Sequence, residues 1–131
     1  METIPDAYRD LLDSQVATLA TIGPNGRPQQ SILWFLAEGG TVRFSLNTNR
    51  QKCVNLVSNP LCSLLIVDPD SSYRYLELRG HVELEPDRDL AFAAKVGAKY
   101  GSDLVQYDQP GDTRSIVTLV ADRVRAVDMR S

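Results

Sequence analysis

Residues 73–85 alternate in polarity with almost no exception. Leu76, Leu78, Val82 and Leu84 fall on one face, and Tyr75, Glu77, Arg79, His81 and Glu83 on the other. A period of two sustained over this length excludes a helix and predicts a long strand with one face against a core. Such a strand must be paired along its whole length. The chain has 131 residues in which to supply the partners, which is room for one domain over 1–131 and not for two.

The partners are legible as short segments. Thr3, Pro5 and Asp6 predict a helix start, with Ile4, Ala7, Tyr8, Leu11 and Leu12 on one side as far as Asp13. Residues 16–22 are β-prone and stop at Gly23-Pro24-Asn25-Gly26. Residues 29–37 predict a second strand, Glu38-Gly39-Gly40 its turn, and 41–46 a third, the three forming an antiparallel meander. A short helix is expected over 50–57, ended by Ser58-Asn59-Pro60, and then a nearly all-apolar strand over 61–67, buried on both faces. Pro86-Asp87 predicts the opening of a helix that runs to Tyr100. Residues 101–114 are polar and turn-rich, and 115–121 and 124–128 finish the chain as strands. The layout predicts a mostly β protein, a barrel of six to seven antiparallel strands with peripheral helices.

Composition narrows the chemistry. His81 is the single histidine, and Cys53 and Cys62 are the two cysteines, with no CxxC. A structural zinc is not expected, nor a Ser-His-Asp site unless His81 supplies it. Both cysteines read as small, reduced core residues of a cytoplasmic protein. No signal-like or bilayer-length apolar segment is found, so no membrane association is expected. The net charge is −3 with no Lys/Arg run, which argues against nucleic acid as a partner. That total conceals an asymmetry. Between Ser14 and Val67 there are Arg27, Arg43, Arg50 and Lys52 against Glu38 alone, a local +3 that leaves −6 for the rest.

Within that basic stretch, Ser45-Leu46-Asn47-Thr48-Asn49-Arg50-Gln51-Lys52 brings a strand end, amide and hydroxyl side chains and two cations to a helix start. This combination suits a phosphate, because a helix N-terminus presents free N–H groups and a positive dipole end. The spacing alone is equally that of a solvated helix start carrying ordinary surface charges.

Three blocks taken together resemble the pyridoxamine-phosphate-oxidase-like superfamily of split β-barrel flavin and deazaflavin oxidoreductases. They are Val16-Ala17-Thr18-Leu19-Ala20-Thr21 with Gly26-Arg27-Pro28-Gln29, the 47–52 segment, and Tyr73-Arg74-Tyr75-Leu76-Glu77-Leu78-Arg79-Gly80. The resemblance implies a homodimer with its cofactor in a groove between two barrels. It places Asn47, Thr48, Arg50, Gln51 and Lys52 on the phosphate-binding segment. Ser31, Ile32 and Leu33 fall on the strand facing the polar edge of the ring, and Trp34 falls on the pocket wall. Tyr73 and Tyr75 fall on the segment that reaches the ring from the partner subunit. Vitamin-phosphate oxidases of the superfamily carry an Arg and a Lys on the second strand and a basic Arg-Leu-x-Pro segment near the C-terminus. This chain has Ser31-Ile32-Leu33-Trp34-Phe35 and Asp128-Met129-Arg130-Ser131 at those places. The pattern looks instead like the actinobacterial branch that uses coenzyme F420. It implies an F420H2-dependent oxidoreductase acting on a small conjugated substrate, with an FMN-dependent enzyme and a non-catalytic cofactor or haem carrier as the alternatives.

In such an enzyme the reactive carbon belongs to the cofactor, which suits a chain poor in nucleophiles and metal ligands. No residue is singled out as the proton donor; water, Tyr75 and His81 are the candidates. His81 reads as a surface or inter-subunit residue, and Glu77 with Arg79 as an ion pair on one strand face. Trp34 reads as core or pocket wall, and Tyr8, Tyr100 and Tyr107 as packing residues.

Overall fold

The computed structural model describes residues 2–130. Seven strands form one antiparallel sheet: β1 (Ala17–Ile22), β2 (Pro28–Leu33), β3 (Leu36–Glu38), β4 (Thr41–Asn47), β5 (Leu61–Asp68), β6 (Ser71–Pro86) and β7 (Arg114–Asp128). Two α-helices, α1 (Gln51–Ser58) and α2 (Ala91–Tyr100), lie outside it. The strand order is β2-β1-β5-β6-β7-β4-β3. The two edge strands, β2 and β3, are consecutive in the chain and separated only by Trp34 and Phe35. A flat sheet cannot have its opposite edges two residues apart, so this one is curled into an incompletely closed barrel.

The long alternating strand is the spine of the sheet. β6 pairs with β5 on one side and with β7 on the other. Its Leu76, Leu78 and Val82 are buried with Leu19, Phe35, Phe44, Leu64, Ile66 and Val117 in a single core. Each fully buried aliphatic side chain of this kind contributes roughly 1.5–3 kcal/mol before the entropic cost of ordering it.

Three expectations about the strands are corrected. The 29–37 strand is broken at Trp34-Phe35: its first part pairs with β1 and its second with β4, so there is no three-stranded meander. The break is held from afar. Phe35 N donates to the Tyr100 hydroxyl at 3.0 Å, and Phe35 O accepts from that hydroxyl and from Lys99 Nζ. β5 is buried on one face only; Leu61 and Val67 are exposed, because nothing among the described residues covers the outer side of the sheet there. The two C-terminal strands are one, carried past Asp122 by a bulge: Arg79 pairs with Arg123 and Gly80 with Ala121, leaving Asp122 as the extra residue. A Cβ on Gly80 would stand 1.9 Å from Val120 O, so the bulge requires glycine at that point.

The helix termini differ as well. The N-terminal helix, Asp6–Asp13, is 3-10 and follows Pro5 without a side-chain cap. α2 begins at Ala91 because Asp87 reaches forward to cap it, accepting from Phe92 N and Ala93 N.

The alternation of β6 also turns Arg74 inward. Its guanidinium donates to both oxygens of Asp10, to Asp68 and to Ala7 O, and lies 5.0 Å from the Tyr8 ring. This buried cation fastens the N-terminal helix and the β5–β6 turn to the end of the barrel. The hydrogen bond from Arg74 holds the Asp10 carboxyl below 3.8. For Asp68, the Asp70 backbone N–H is the larger cause and Arg74 the second.

Candidate functional site

α1 is docked on the β1–β2 edge by a buried side chain. Asn55 donates to Thr21 Oγ1 at 3.1 Å and to Gln29 Oε1 at 2.8 Å, and accepts from Gln51. This contact fixes the start of α1 beside β2. Between that start, the end of β4, α2 and the 103–113 loop lies a groove of about 710 Å3.

Lys52 is its most unusual residue. The side chain is buried, and among the described residues its one hydrogen bond is from Nζ to Ser31 Oγ at 3.0 Å. No carboxylate among the described residues lies within ion-pair distance of it. Burial first, and the neighbouring Arg50 second, push its ammonium below the usual lysine value. Arg50 stands at the N-cap of α1, exposed and free of side-chain partners among the described residues. Two cations without a carboxylate partner among the described residues thus stand together at a helix N-terminus, an arrangement whose charge and free N–H groups suit an anion.

The structure separates the other expected site residues. Ile32, Leu33 and Trp34 line the groove with Asn47, Arg50 and Lys52, and Ser31 joins them through Lys52. Trp34 stacks on Tyr100 with ring centroids 4.2 Å apart and planes 7° from parallel. Gln51 turns away to Asn55. Tyr73 and Tyr75 lie on β6 and do not line the groove of their own chain. Neither does His81, which faces Asp122 at 3.4 Å on the outer side of the sheet.

Asn47 and Thr48 are present but already engaged. Asn47 Nδ2 donates to Asp108 Oδ1 at 3.1 Å and to Asp112 Oδ2 at 2.9 Å. Thr48 bonds Thr113 through both side chain and backbone. Asn49 Nδ2 donates to Asp112 Oδ1. The sequence of 101–114 is polar and turn-rich with no site residue evident, yet Asp108, Gln109 and Asp112 line the groove with Leu104 and Tyr107. No periodicity marks such residues, and the amides of Asn47 and Asn49 that engage Asp108 and Asp112 lie more than sixty residues away.

Arg114 anchors the loop through two bonds to Asp108. These bonds are the main reason the Asp108 carboxyl stays below 3.8; for Asp112 the bond from Asn47 is the main cause. Carboxyls held below their unfolded value stabilise the fold above that value and cease to do so as pH falls through their native pKa. With Asp10 and Asp68 in the same state, the melting temperature is expected to be steady down to about pH 5 and to drop once the pH passes below 3.8. An equal melting temperature at about pH 6 and about pH 3 would contradict these ties.

A second cavity, of about 520 Å3, lies on the outer face by Ser63, Glu77 and Asp122. Its Glu77 and Arg79 pair at 2.9 Å, and Asp122 and Arg123 also line it, so both signs of charge meet there. Among the described residues no group of three His, Cys, Asp or Glu could hold a metal, and no helix is long and apolar enough to cross a membrane.

A mostly antiparallel sheet curled into a half-barrel, with helices at its margin, is the split-barrel fold. The chain belongs to the pyridoxamine 5'-phosphate oxidase family, whose pattern matches residues 4–128. No curated protein matches it. Among solved structures, an F420 reductase is 36% identical, with a TM-score of 0.81 over 93% of this chain and 98% of that one. A conserved hypothetical protein from Mycobacterium tuberculosis is 27% identical, with a TM-score of 0.79 over 98% and 87%. The heme storage protein HutZ from Vibrio cholerae is 16% identical, with a TM-score of 0.75 over 96% of both chains, a likeness of fold alone.

Proposed function

We propose that this protein is an F420H2-dependent oxidoreductase that transfers a hydride between the deazaflavin and a small conjugated organic substrate. The observation that carries this reading is Lys52: a buried ammonium without a counter-charge, beside Arg50, in a groove large enough for part of a ring cofactor. The 36% identical F420 reductase favours the deazaflavin over FMN. β2 offers Gln29, Gln30, Ser31 and Ile32 and no cation, unlike the vitamin-phosphate oxidases.

In this reading Arg50 and Lys52 hold the cofactor phosphate, and Ser31 fixes the lysine. The β2 end and Trp34 orient the ring. The cofactor, when bound, supplies the reactive carbon and the hydride. Trp34, Leu33, Val96 and Leu104 exclude water from one side of the groove. The other side calls for a second copy. Ile32 is 65% and Tyr73 62% exposed, and with Leu61 and Val67 they leave an apolar outer face that a homodimer would cover. Tyr73 and Tyr75 would then belong to the partner's groove, and the assembly would work in the cytoplasm. A haem carrier is disfavoured because His81, the single histidine, is not among the groove residues.

Trp34 is the only tryptophan, so its fluorescence reports on the groove. F420 at low micromolar concentration is expected to quench it strongly, and FMN much less. Equal or stronger quenching by FMN would assign the flavin instead. Turnover separates enzyme from carrier: reduced F420 should be oxidised when enones or quinones are added, and silence across a broad panel would favour the carrier.

A further inference from the structure

The amides of Asn47 and Asn49 stand next to Arg50 and Lys52 and would complete an anion site, but the chain has filled them itself. Both oxygens of Asp112 accept from them, at 2.9 Å each, and Oδ2 also accepts from Gln109 N at 2.8 Å. The neighbouring Asp108 differs, because Arg114 neutralises it at 2.8 Å. Asp112 has no cation within ion-pair distance among the described residues. Its charge is held by neutral N–H donors alone, as a bound anion's would be. The groove therefore contains two cations awaiting an anion and, beside them, a carboxylate that takes the Asn49 amide and shares the Asn47 amide with Asp108.

We infer that Asp112 is a specificity-determining residue that limits how much negative charge the phosphate itself may carry at the Arg50–Lys52 end of the groove. The inference rests on the reading of a phosphate-bearing ring cofactor. An incoming phosphate finds Arg50 and Lys52 but not the two amides, and it meets the field of Asp112. A phosphodiester carries one negative charge, which the two cations satisfy. A phosphomonoester carries close to two at neutral pH. Its extra charge faces the carboxylate and lacks the donors that would solvate it. Asp112 thus favours a diester-linked cofactor, such as F420, over a monoester such as FMN. Removing its charge should narrow that preference.

The test compares FMN with riboflavin, which share a ring and differ only by the phosphate, on the full-length wild type, Asp112→Asn and Asp112→Ala. F420 is titrated alongside, and Trp34 quenching is the readout. Both variants are expected to bind FMN about tenfold more tightly than the wild type, the factor commonly carried by one charge-assisted hydrogen bond. Riboflavin should stay within about twofold, since it has no phosphate to gain the contact. A loop with a merely structural role cannot raise the affinity for one ligand of the pair alone. Unchanged or weaker FMN binding overturns the inference. So does a parallel change in FMN and riboflavin, including loss of both through a collapsed loop. Failure of F420 to quench the wild type overturns the cofactor reading instead, and is seen separately from the FMN-to-riboflavin ratio.

Discussion

Lys52→Met is expected to bind F420 about 1–3 kcal/mol more weakly than the wild type, roughly 5- to 150-fold, and yet to melt at a higher temperature. The two effects have opposite signs because one feature causes both. In the empty protein the ammonium is buried, bonded only to Ser31 Oγ, and pushed below its usual value by burial and by Arg50. A cation desolvated without a counter-charge destabilises the fold. Methionine keeps the apolar stem and removes the charge. In the proposed complex the same charge would donate a strong hydrogen bond to the phosphate in a site partly shielded from water. The sign of the pH dependence follows. The native pKa is below the unfolded 10.5, so the penalty is constant at low pH and is relieved as pH rises through that interval. The gap in melting temperature between variant and wild type should therefore narrow as pH approaches 10.5. Unchanged F420 affinity would remove Lys52 from the phosphate role, and a lowered melting temperature would show that its charge is compensated after all.

Gly80→Ala is expected to lower folding stability by about 3 kcal/mol or more, the upper range for forcing atoms into a filled interior. The added carbon would stand 1.9 Å from Val120 O and 3.0 Å from Asp122 N, both backbone atoms with no rotamer through which to move away. The β6–β7 ladder, which runs from the Arg74–Asp128 pair to the Pro86–Ser115 pair, must open at its bulge or shift its register. A shift by one residue would turn Leu76, Leu78 and Val82 from the core to the outer face. Denaturant unfolding should show an earlier midpoint. A midpoint equal to that of the wild type would mean that the bulge around Asp122 does not exist in solution.

Local pattern carried much of this structure, and distance hid the rest. The period of two in 73–85 identified the spine and its core face, and the 47–52 segment placed Arg50 and Lys52 at a helix start. Both signals are contained within a few residues. The break at Trp34-Phe35 left no such trace, because the residues on each side are apolar and β-prone. What stabilises it is a tyrosine hydroxyl and a lysine contributed by α2, some 65 positions along the chain. The bulge was hidden for a similar reason. Asp122-Arg123 looks like an interruption between two strands until the partner strand supplies a glycine opposite it. Arg74 is a further case: alternation puts it on the apolar face, and Asp10 and Asp68, from two other elements, make that position tolerable. In the groove, the amides of Asn47 and Asn49 were visible in sequence, but the carboxylates that engage them belong to a loop without periodicity. Local spacing could supply the donors but not show that they were occupied.

The two-residue passage from β2 to β3 also determines where relatives of this chain can differ in length. An insertion between Trp34 and Phe35 would slacken the one covalent join between the sheet's two edges and displace the backbone atoms that Tyr100 and Lys99 hold. Length changes are absorbed best at surface turns with few such ties. The Gly39-Gly40 turn is a place of that kind, whereas the Pro69-Asp70 turn is tied down through Asp68 and Arg74. The loop over 103–113 is on the surface too, but its carboxylates bind it to the groove, so residues added there would alter the ligand site before they altered the barrel. Variation in length along this fold should therefore divide into two kinds: silent at the Gly39-Gly40 tip, and expressed as a change of ligand in the loop before β7.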